Sequence, residues 1–239
     1  MNRQKFNVLS LNLWHGNLEE RILGYVSDKK DHFSVFCFQE SDPKIFHSLT
    51  DLLQDDFNVF YAQKPSDHDP YYNATFIRKE FLVTGVQTIL GSLKEPGLGL
   101  ATTIEIGNEL ELLIVNTYGC PYPGNKIDTP ARITQSEELI KFVKRDVKAS
   151  IFMGDFNLLP GTKSLEIFKE HGYRNLIEDY NIVTTRNENA WNRYPDNKQL
   201  YADYAFIKSD QTVEHDFIVE DNLVSDHLPL LLNLSIDCD

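Results

Sequence analysis

The order of strand and helix patterns predicts an α/β protein with two sheets packed face to face and helices on the outside. Strand and helix patterns alternate at both ends of the 239-residue chain, and the middle is a run of strand patterns without helices. Hydrophobic residues make up 41% of the chain, enough for a sizeable core. No stretch rich in Pro, Gly and Ser divides it, so we expect one domain over residues 1–239.

The N-terminal elements follow from hydrophobic periodicity. Residues 6–13 alternate as a strand does, and 17–26 place apolar side chains on one face of a helix. Residues 34–40 (SVFCFQE) form an apolar run typical of a strand buried on both faces. Asp42 and Pro43 then mark the start of a second helix, because proline suits the first helical position.

The middle and the C-terminal half complete the predicted sheets. Strand patterns lie near 57–61, 73–78, 81–89, 100–106 and 110–117, with GNEL (107–110) as a hairpin turn. Thr129 and Pro130 begin a helix within 127–147, whose apolar period includes Ile133, Ile140, Val143 and Val147. The remaining elements are strand 149–157, helix 162–172 and strands 201–207, 213–219 and 228–234.

Charge and cysteine content restrict the function classes. The net charge of −13 argues mildly against a generic binder of nucleic-acid backbone, which gains affinity from basic residues. It leaves phosphate esters open as substrates, because divalent metals invert the local field. Three widely spaced cysteines predict free thiols, and no signal-peptide pattern or long apolar run is present. We therefore expect a cytoplasmic protein without membrane insertion and with no obligate protein partner.

Several predicted strands end in polar residues that a strand core would not select, and in layered α/β folds such ends carry the sites. They are Asn12, Gln39–Glu40, Asn116–Tyr118, Asp155 with Asn157, Asp203, and Asp226–His227. Their oxygen-rich side chains suit Mg²⁺ or Mn²⁺, whereas a lone histidine does not build the common zinc site. The set suits metal-assisted attack of water on a phosphate ester.

Six motifs carry a resemblance to a known family. "LNLWHG", "CFQE", "VNTYG", "GDFN", "YADYAFI" and "VSDHLPL" occur in the order seen in the endonuclease/exonuclease/phosphatase family, which the chain resembles from residue 6 to about 235. The resemblance implies a four-layer α/β/β/α sandwich of two mixed, mainly antiparallel sheets. It also implies a Mg²⁺- or Mn²⁺-dependent hydrolase in one catalytic domain.

The resemblance also implies roles for single residues. Glu40 is the main metal ligand with Asn12 beside it, and Asp226 is a candidate ligand for a second ion. Asp155 orients or activates the attacking water, and Asn157 holds a phosphate oxygen. His227, paired with Asp203, stabilises the transition state or assists the leaving group.

One position departs from the pattern of many family members. Tyr118 stands where they have a histidine, although the apurinic endonucleases have a tyrosine at the matching place. A phenol donates a hydrogen bond to a phosphate oxygen but carries no positive charge. We therefore expect Tyr118 to contribute to catalysis with reduced electrostatic help.

Residues outside the motifs are candidates for substrate binding. Arg186, Trp191 and Arg193 lie in a long predicted loop before Asp203, where they either grip a nucleic acid or anchor the loop itself. Arg132, in the first turn of its predicted helix, is a further candidate for a phosphate contact. The segment 61–73 is a candidate wall of the same cleft.

The sequence therefore predicts a phosphodiesterase whose partner is a phosphate-ester substrate, with a nucleic acid or nucleotide as the leading option. One alternative is a hydrolase of inositol phosphates or phospholipid head groups. The other alternative is a silent binding module of the same fold, which retention of the five residues Glu40, Asp155, Asp203, Asp226 and His227 disfavours.

Overall fold

Two six-stranded sheets form the centre of the computed structural model, which describes residues 3–63, 71–106, 110–143, 147–193 and 195–237. The first half of the chain contains β1 (Arg3–Asn12), a 3-10 turn (Trp14–Gly16), α1 (Glu19–Lys29), β2 (Val35–Ser41), α2 (Pro43–Leu53), β3 (Phe57–Gln63), β4 (Tyr72–Arg78), β5 (Leu82–Ile89), β6 (Leu98–Glu105) and β7 (Glu111–Tyr118). The second half contains α3 (Pro130–Lys141), β8 (Ala149–Asp155), α4 (Lys163–Glu170), β9 (Arg174–Asn175), α5 (Leu176–Asp179), α6 (Glu188–Arg193), β10 (Asp203–Ser209), β11 (Val213–Val219) and β12 (Leu230–Asp237).

The two sheets share one plan. Their strand orders are β11-β12-β1-β2-β4-β3 and β5-β6-β7-β8-β10-β9. Each sheet contains one parallel pair, β1 with β2 and β7 with β8, and its other strand pairs are antiparallel. The prediction of two mixed, mainly antiparallel sheets is confirmed. The carboxyl ends of the two parallel pairs lie on the same side of the molecule, because Asn12 of β1 contacts Asp155 of β8 and Gln39 of β2 contacts Asn116 of β7.

Alternation along the strands separates the layers. On β1, Leu9 and Leu11 pack outward in a cluster with α1 and α2, whereas Val8 belongs to the cluster shared with the second sheet. Asn116 of β7 contacts carbonyls of β2 and β4 in the first sheet. Leu112 and Ile114 lie four and two residues before it, on the same face of the strand, and therefore also face the first sheet. The helices therefore cover the outer faces, as the sequence predicts.

Some predicted elements differ in the structure. The helix predicted within 127–147 ends at Lys141, so Val143 and Val147 lie beyond it, and its buried face carries Arg132, Gln135 and Ser136 beside Leu139. The loop predicted before Asp203 contains α6. Residues 107–109 of the predicted turn and residues 64–70 of the segment 61–73 lie outside the described residues.

Two of the three cysteines fall in the described part of the chain. Cys37 and Cys120 are both free and buried. No helix among the described residues is both long enough and apolar enough to cross a membrane.

Candidate active site

Buried amides join the two sheets at the edge where both parallel pairs end. The Asn12 side-chain amide donates to Asp155 Oδ2 at 2.9 Å, and that of Gln39 donates to Asn116 Oδ1 at 2.7 Å. Asn116 in turn donates to the carbonyls of Phe38 and Ala74. These bonds fix the first sheet against the second where the polar strand ends meet.

Asp155 is the last residue of β8 and is 1% exposed. Oδ2 accepts from Asn12 and from the side-chain amide of Asn157, and Oδ1 accepts from the Asn157 backbone N–H at 2.8 Å. Gly154 precedes it with a φ of 142°, and a Cβ there would lie 2.0 Å from the Thr117 carbonyl oxygen. Only glycine permits this close approach of β8 to β7, which sets the position of the carboxylate.

His227 and Asp203 form a buried pair beside Asp155. His227 Nδ1 lies 2.9 and 2.8 Å from the two Asp203 oxygens, and Nε2 lies 3.8 Å from Asp155 Oδ2 and 3.7 Å from Asp226 Oδ1. Burial alone would lower the pKa of His227, but the surrounding carboxylates, Asp203 above all, outweigh it and raise that pKa. The imidazole therefore favours its protonated form, with Nε2 facing the acidic side chains.

Arg186 secures the opposite side of this group. Its Nη2 donates to Asp226 Oδ2 at 2.7 Å, and both side chains are almost buried. The backbones of Arg186 and His227 pair as an isolated antiparallel bridge. The segment before α6 is thereby tied to the loop that precedes β12.

Glu40 completes the acidic cluster from the first sheet. Its side chain is 14% exposed, and Oε2 lies 3.2 Å from His15 Nε2. Burial raises the pKa of the Glu40 carboxyl, His15 opposes that shift, and the nearby Asp155 charge adds to it. The His15 ring in turn stacks on Tyr71, with ring centroids 4.2 Å apart.

These groups open onto one cavity of about 350 Å³. Its charged and amide lining consists of Glu40, Lys126, Asp155, Asn157, Arg186, Arg193, Asn197, Gln199, Asp226 and the imidazoles of His15 and His227. Trp14, Tyr122 and Trp191 supply its aromatic wall.

Backbone strain is concentrated at the same place. Seven non-glycine residues of the described chain have positive φ. Five of them line the cavity, namely Trp14, His15, Glu40, Lys126 and Asn157. Left-handed conformations are unfavourable for non-glycine residues and cluster at functional sites, which supports this cavity as the functional centre.

Most of the predicted site residues come together here, and the remainder need correction. Arg132 was expected at a phosphate, but its guanidinium donates to the carbonyls of Cys120, Pro123 and Ile127 and is not part of the cavity lining. An arginine with three carbonyl acceptors holds a loop in place rather than a substrate.

Tyr118 and Asn12 also lie behind the cavity surface. Tyr118 is 8% exposed and is not among the lining residues. Asn12 is fully buried, and its Oδ1 accepts from the Trp14 backbone N–H at 2.9 Å. Its amide therefore serves Asp155 and the adjacent turn instead of facing the cavity.

Trp191 and Arg193 lie in the cavity wall on α6. The Trp191 indole donates to the Gln199 carbonyl at 3.3 Å, and Lys198 Nζ lies 3.9 Å from its ring centroid. Trp191 thus anchors its own segment, as one predicted alternative has it, and its ring also lines the cavity, while the nucleic-acid contact stays a prediction.

Sequence reasoning assigned no role to several lining residues, and two of them, His15 and Lys126, contact predicted site residues. His15 contacts Glu40, and Lys126, 7% exposed, donates to Asn157 Oδ1. Burial lowers the pKa of Lys126, and Asp155 opposes that shift. Neither residue belongs to a strand end, so strand patterns give no signal for them. For His15, its position next to Trp14 and three residues after Asn12 is the only indication.

The donor chemistry fits a divalent cation. Among the described residues, one group of acidic and histidine side chains has the spacing to hold a metal ion. Its members are Asp155, Asp203 and His227, whose ligand atoms lie within 4.8 Å of one another. His227 Nδ1 is already bonded to Asp203, however. Hard cations prefer carboxylate oxygens, and Glu40 presents its carboxylate to the cavity, with Oε2 3.2 Å from His15 Nε2.

Comparisons with known proteins agree with the fold. No curated protein matches the chain. The endonuclease/exonuclease/phosphatase from Bacteroides vulgatus superposes with a TM-score of 0.76 at 16% identity, covering 98% of this chain and 100% of that one. The human Nocturnin catalytic domain gives a TM-score of 0.76 at 18% identity, with 99% and 97% covered. A D. rerio TDP2 structure gives 0.70 at 18% identity, with 97% and 99% covered.

These superpositions show that the chain shares the α/β sandwich fold. Family membership is established by a separate comparison. The model of the Endonuclease/Exonuclease/phosphatase family matches residues 6–227, which include the strand-end groups from Asn12 to His227. The chain therefore belongs to the endonuclease/exonuclease/phosphatase family and is, at that coarse level, a phosphoesterase.

Proposed function

We propose that the chain is a Mg²⁺- or Mn²⁺-dependent phosphodiesterase, nuclease-like or nucleotide-directed, which hydrolyses its ester by in-line attack of water. One observation carries the proposal: an Asp155 carboxylate and the Asp203-paired imidazole of His227 face each other across 3.8 Å at a cavity. A base and an acid so placed serve the two sides of a hydrolysis.

Asp155 orients the attacking water and takes its proton. Three N–H groups from Asn12 and Asn157 donate to the carboxylate and fix its orientation. His227 donates from Nε2 to a phosphoryl or leaving-group oxygen, because Asp203 occupies Nδ1 and stabilises the imidazolium.

Glu40 would hold a divalent cation, and Asp226 would be a ligand of a second ion. Four carboxylates belong to the site, Glu40, Asp155, Asp203 and Asp226, against three basic side chains of the cavity lining, Lys126, Arg186 and Arg193. When bound, the metal neutralises charge on the phosphoryl oxygens and orients the ester. Asn12 supports the site through Asp155 and is not an open ligand in this geometry.

The cavity wall favours a nucleotide-containing substrate. Tyr122 is 62% exposed at the cavity, with Trp191 and Arg193 also in the wall. Exposed aromatic rings stack on bases, and arginine contacts the backbone. A D. rerio TDP2 structure of the same fold contains a single-strand DNA product, and the human Nocturnin catalytic domain contains a sulfate anion.

The test is a substrate panel with purified protein and Mg²⁺. It contains abasic duplex, single-stranded DNA and RNA, a 5′-tyrosyl oligonucleotide, inositol phosphates and sphingomyelin. We expect cleavage of a nucleic-acid substrate, its loss on chelation, its recovery with Mg²⁺ or Mn²⁺, and no turnover by Asp155→Ala above background. Cleavage that survives chelation, or cleavage of inositol phosphates or sphingomyelin alone, would contradict the proposal.

A further inference from the structure

Lys126 is a buried cation at the cavity. It lies in the segment between β7 and α3, is 7% exposed and lines the same cavity as Asp155 and Asn157. Its Nζ donates to Asn157 Oδ1, and no carboxylate of the described residues forms an ion pair with it. Burying an ammonium with no directly paired carboxylate is unfavourable, although the more distant charges of Asp155, Asp203 and Glu40 oppose that cost. An anion bound in the cavity would supply the missing partner.

Asn157 is fully occupied by protein groups. Its side-chain amide donates to the Gly119 carbonyl and to Asp155 Oδ2, both at 3.2 Å. An amide nitrogen carries two hydrogens, so both are used. The orientation of the amide is determined by its neighbours, because the Gly119 oxygen only accepts and the Lys126 ammonium only donates.

The consequence concerns the phosphate group of the substrate. The expected role of Asn157, holding a phosphate oxygen, requires an N–H that this geometry does not leave free. Lys126 has three N–H groups and uses one of them on Asn157. The cavity has two further basic side chains: Arg186 is already bonded to Asp226, and Arg193 lies in the wall on α6 and has a contact of its own.

The backbone supports a functional reason for this position. Lys126 and Asn157 both have positive φ, 56° and 55°, and their side chains bond to each other. The Lys126 carbonyl also accepts from the Leu159 N–H at 2.7 Å. Two strained residues are therefore held together so that the ammonium lies inside the cavity.

We propose that Lys126 is the residue that binds a non-bridging phosphoryl oxygen of the substrate, and that Asn157 positions Lys126 and Asp155 instead of contacting the phosphate. The inference rests on the proposed function for the identity of the ester. The part of the proposal that concerns anion binding by the Lys126 ammonium can be tested without any turnover.

The first experiment measures binding of inorganic phosphate by isothermal titration calorimetry, with Mg²⁺ present. Lys126→Met removes the charge and the hydrogen bond, whereas Lys126→Gln removes the charge and keeps a donor for Asn157. Lys163→Met, at an exposed lysine on α4, is the control. We expect both Lys126 variants to weaken phosphate binding by about tenfold to a hundredfold, the scale of one charge-assisted hydrogen bond, and the control to match the wild type.

A second readout separates binding from structure. Thermal unfolding reports whether each variant folds, and if Lys126→Met does not, Lys126→Gln carries the test. With a cleaved ester in hand, the variants should raise KM more than they lower kcat. Full restoration of phosphate binding by Lys126→Gln would assign Lys126 a structural role only and overturn the proposal.

The outcomes also distinguish this proposal from the proposed function. If the wild type cleaves no ester of the panel but binds phosphate through Lys126, the proposed function fails and the anion site stands. If the wild type cleaves an ester while Lys126→Met binds phosphate equally well, the anion site fails and the proposed function stands. Absence of phosphate binding by the wild type would also overturn the anion site.

Discussion

The layer between the two sheets has two halves of opposite character. Where the parallel pairs begin, the contacts between the sheets are apolar and buried, formed by residues such as Phe6, Val8, Val35, Ile104 and Leu112. Where the same pairs end, the residues between the sheets are amides and a carboxylate: Asn12, Gln39, Asn73, Asn116 and Asp155. The same strands therefore supply a core at one end and a site at the other.

The difference shows how the molecule divides stability and function. Apolar burial is favourable without any particular partner, whereas each buried amide needs its own hydrogen-bond partner to avoid a penalty. The polar half meets that need by bonding across the sheets, as Asn12 does with Asp155. The strained backbone is also at this end, in Glu40 and Asn157 among others. Local rules are broken where the chemistry requires it.

Removing either reacting group should abolish most activity while leaving the apolar half intact. Asp155→Ala and His227→Ala should each lower turnover by about two to four orders of magnitude, because a base or a charge-stabilising group is lost. Steady-state kinetics on the cleaved ester measures this. Asp51→Ala, at an exposed carboxylate of α2, is the matched control. Near-full activity of both variants would show that the polar half is not the reacting site.

Removing the charge that orients His227 should lower turnover by less than removing His227 itself, because Asp203 acts through the imidazole. Asp203→Asn keeps the size of the side chain but loses its charge, so the imidazolium is less stabilised. Since the two residues act as a unit, Asp203→Asn with His227→Ala should lose little more than the worse single variant. A double-mutant cycle in kcat tests this, and fully additive losses would refute a working pair.

A change in the apolar half should leave turnover almost unchanged and lower stability. Leu112→Ala, at a fully buried side chain, should reduce the free energy of unfolding by about 2–5 kcal/mol. Urea denaturation followed by circular dichroism measures this loss. Val183→Ala, at a side chain that is 75% exposed, should change stability by less than about 0.5 kcal/mol. A large loss of kcat in folded Leu112→Ala would mean that the two halves are not separable.

Strand patterns and motifs were sufficient for the architecture and for naming residues that meet at one cavity. Alternation along 6–13 and the apolar run at 34–40 correspond to β1 and β2. Strand ends meet at one edge in this topology, so Glu40, Asp155 and His227 were found as a group. Helix α3 shows the limit. It ends at Lys141, before Val143 and Val147, and it buries Arg132, whose acceptors are carbonyls of the preceding loop that no local pattern encodes.

The chain alone identified the residue types and the edge of the sheets where they gather, because periodicity and element order are local properties. The folded molecule decided the partners: Lys126 with Asn157, Arg186 with Asp226, and Asn12 with Asp155. These pairs are separated by 31, 40 and 143 residues along the chain. Hydrogen bonds depend on distances of a few tenths of an ångström, which packing of the two sheets sets and sequence spacing does not.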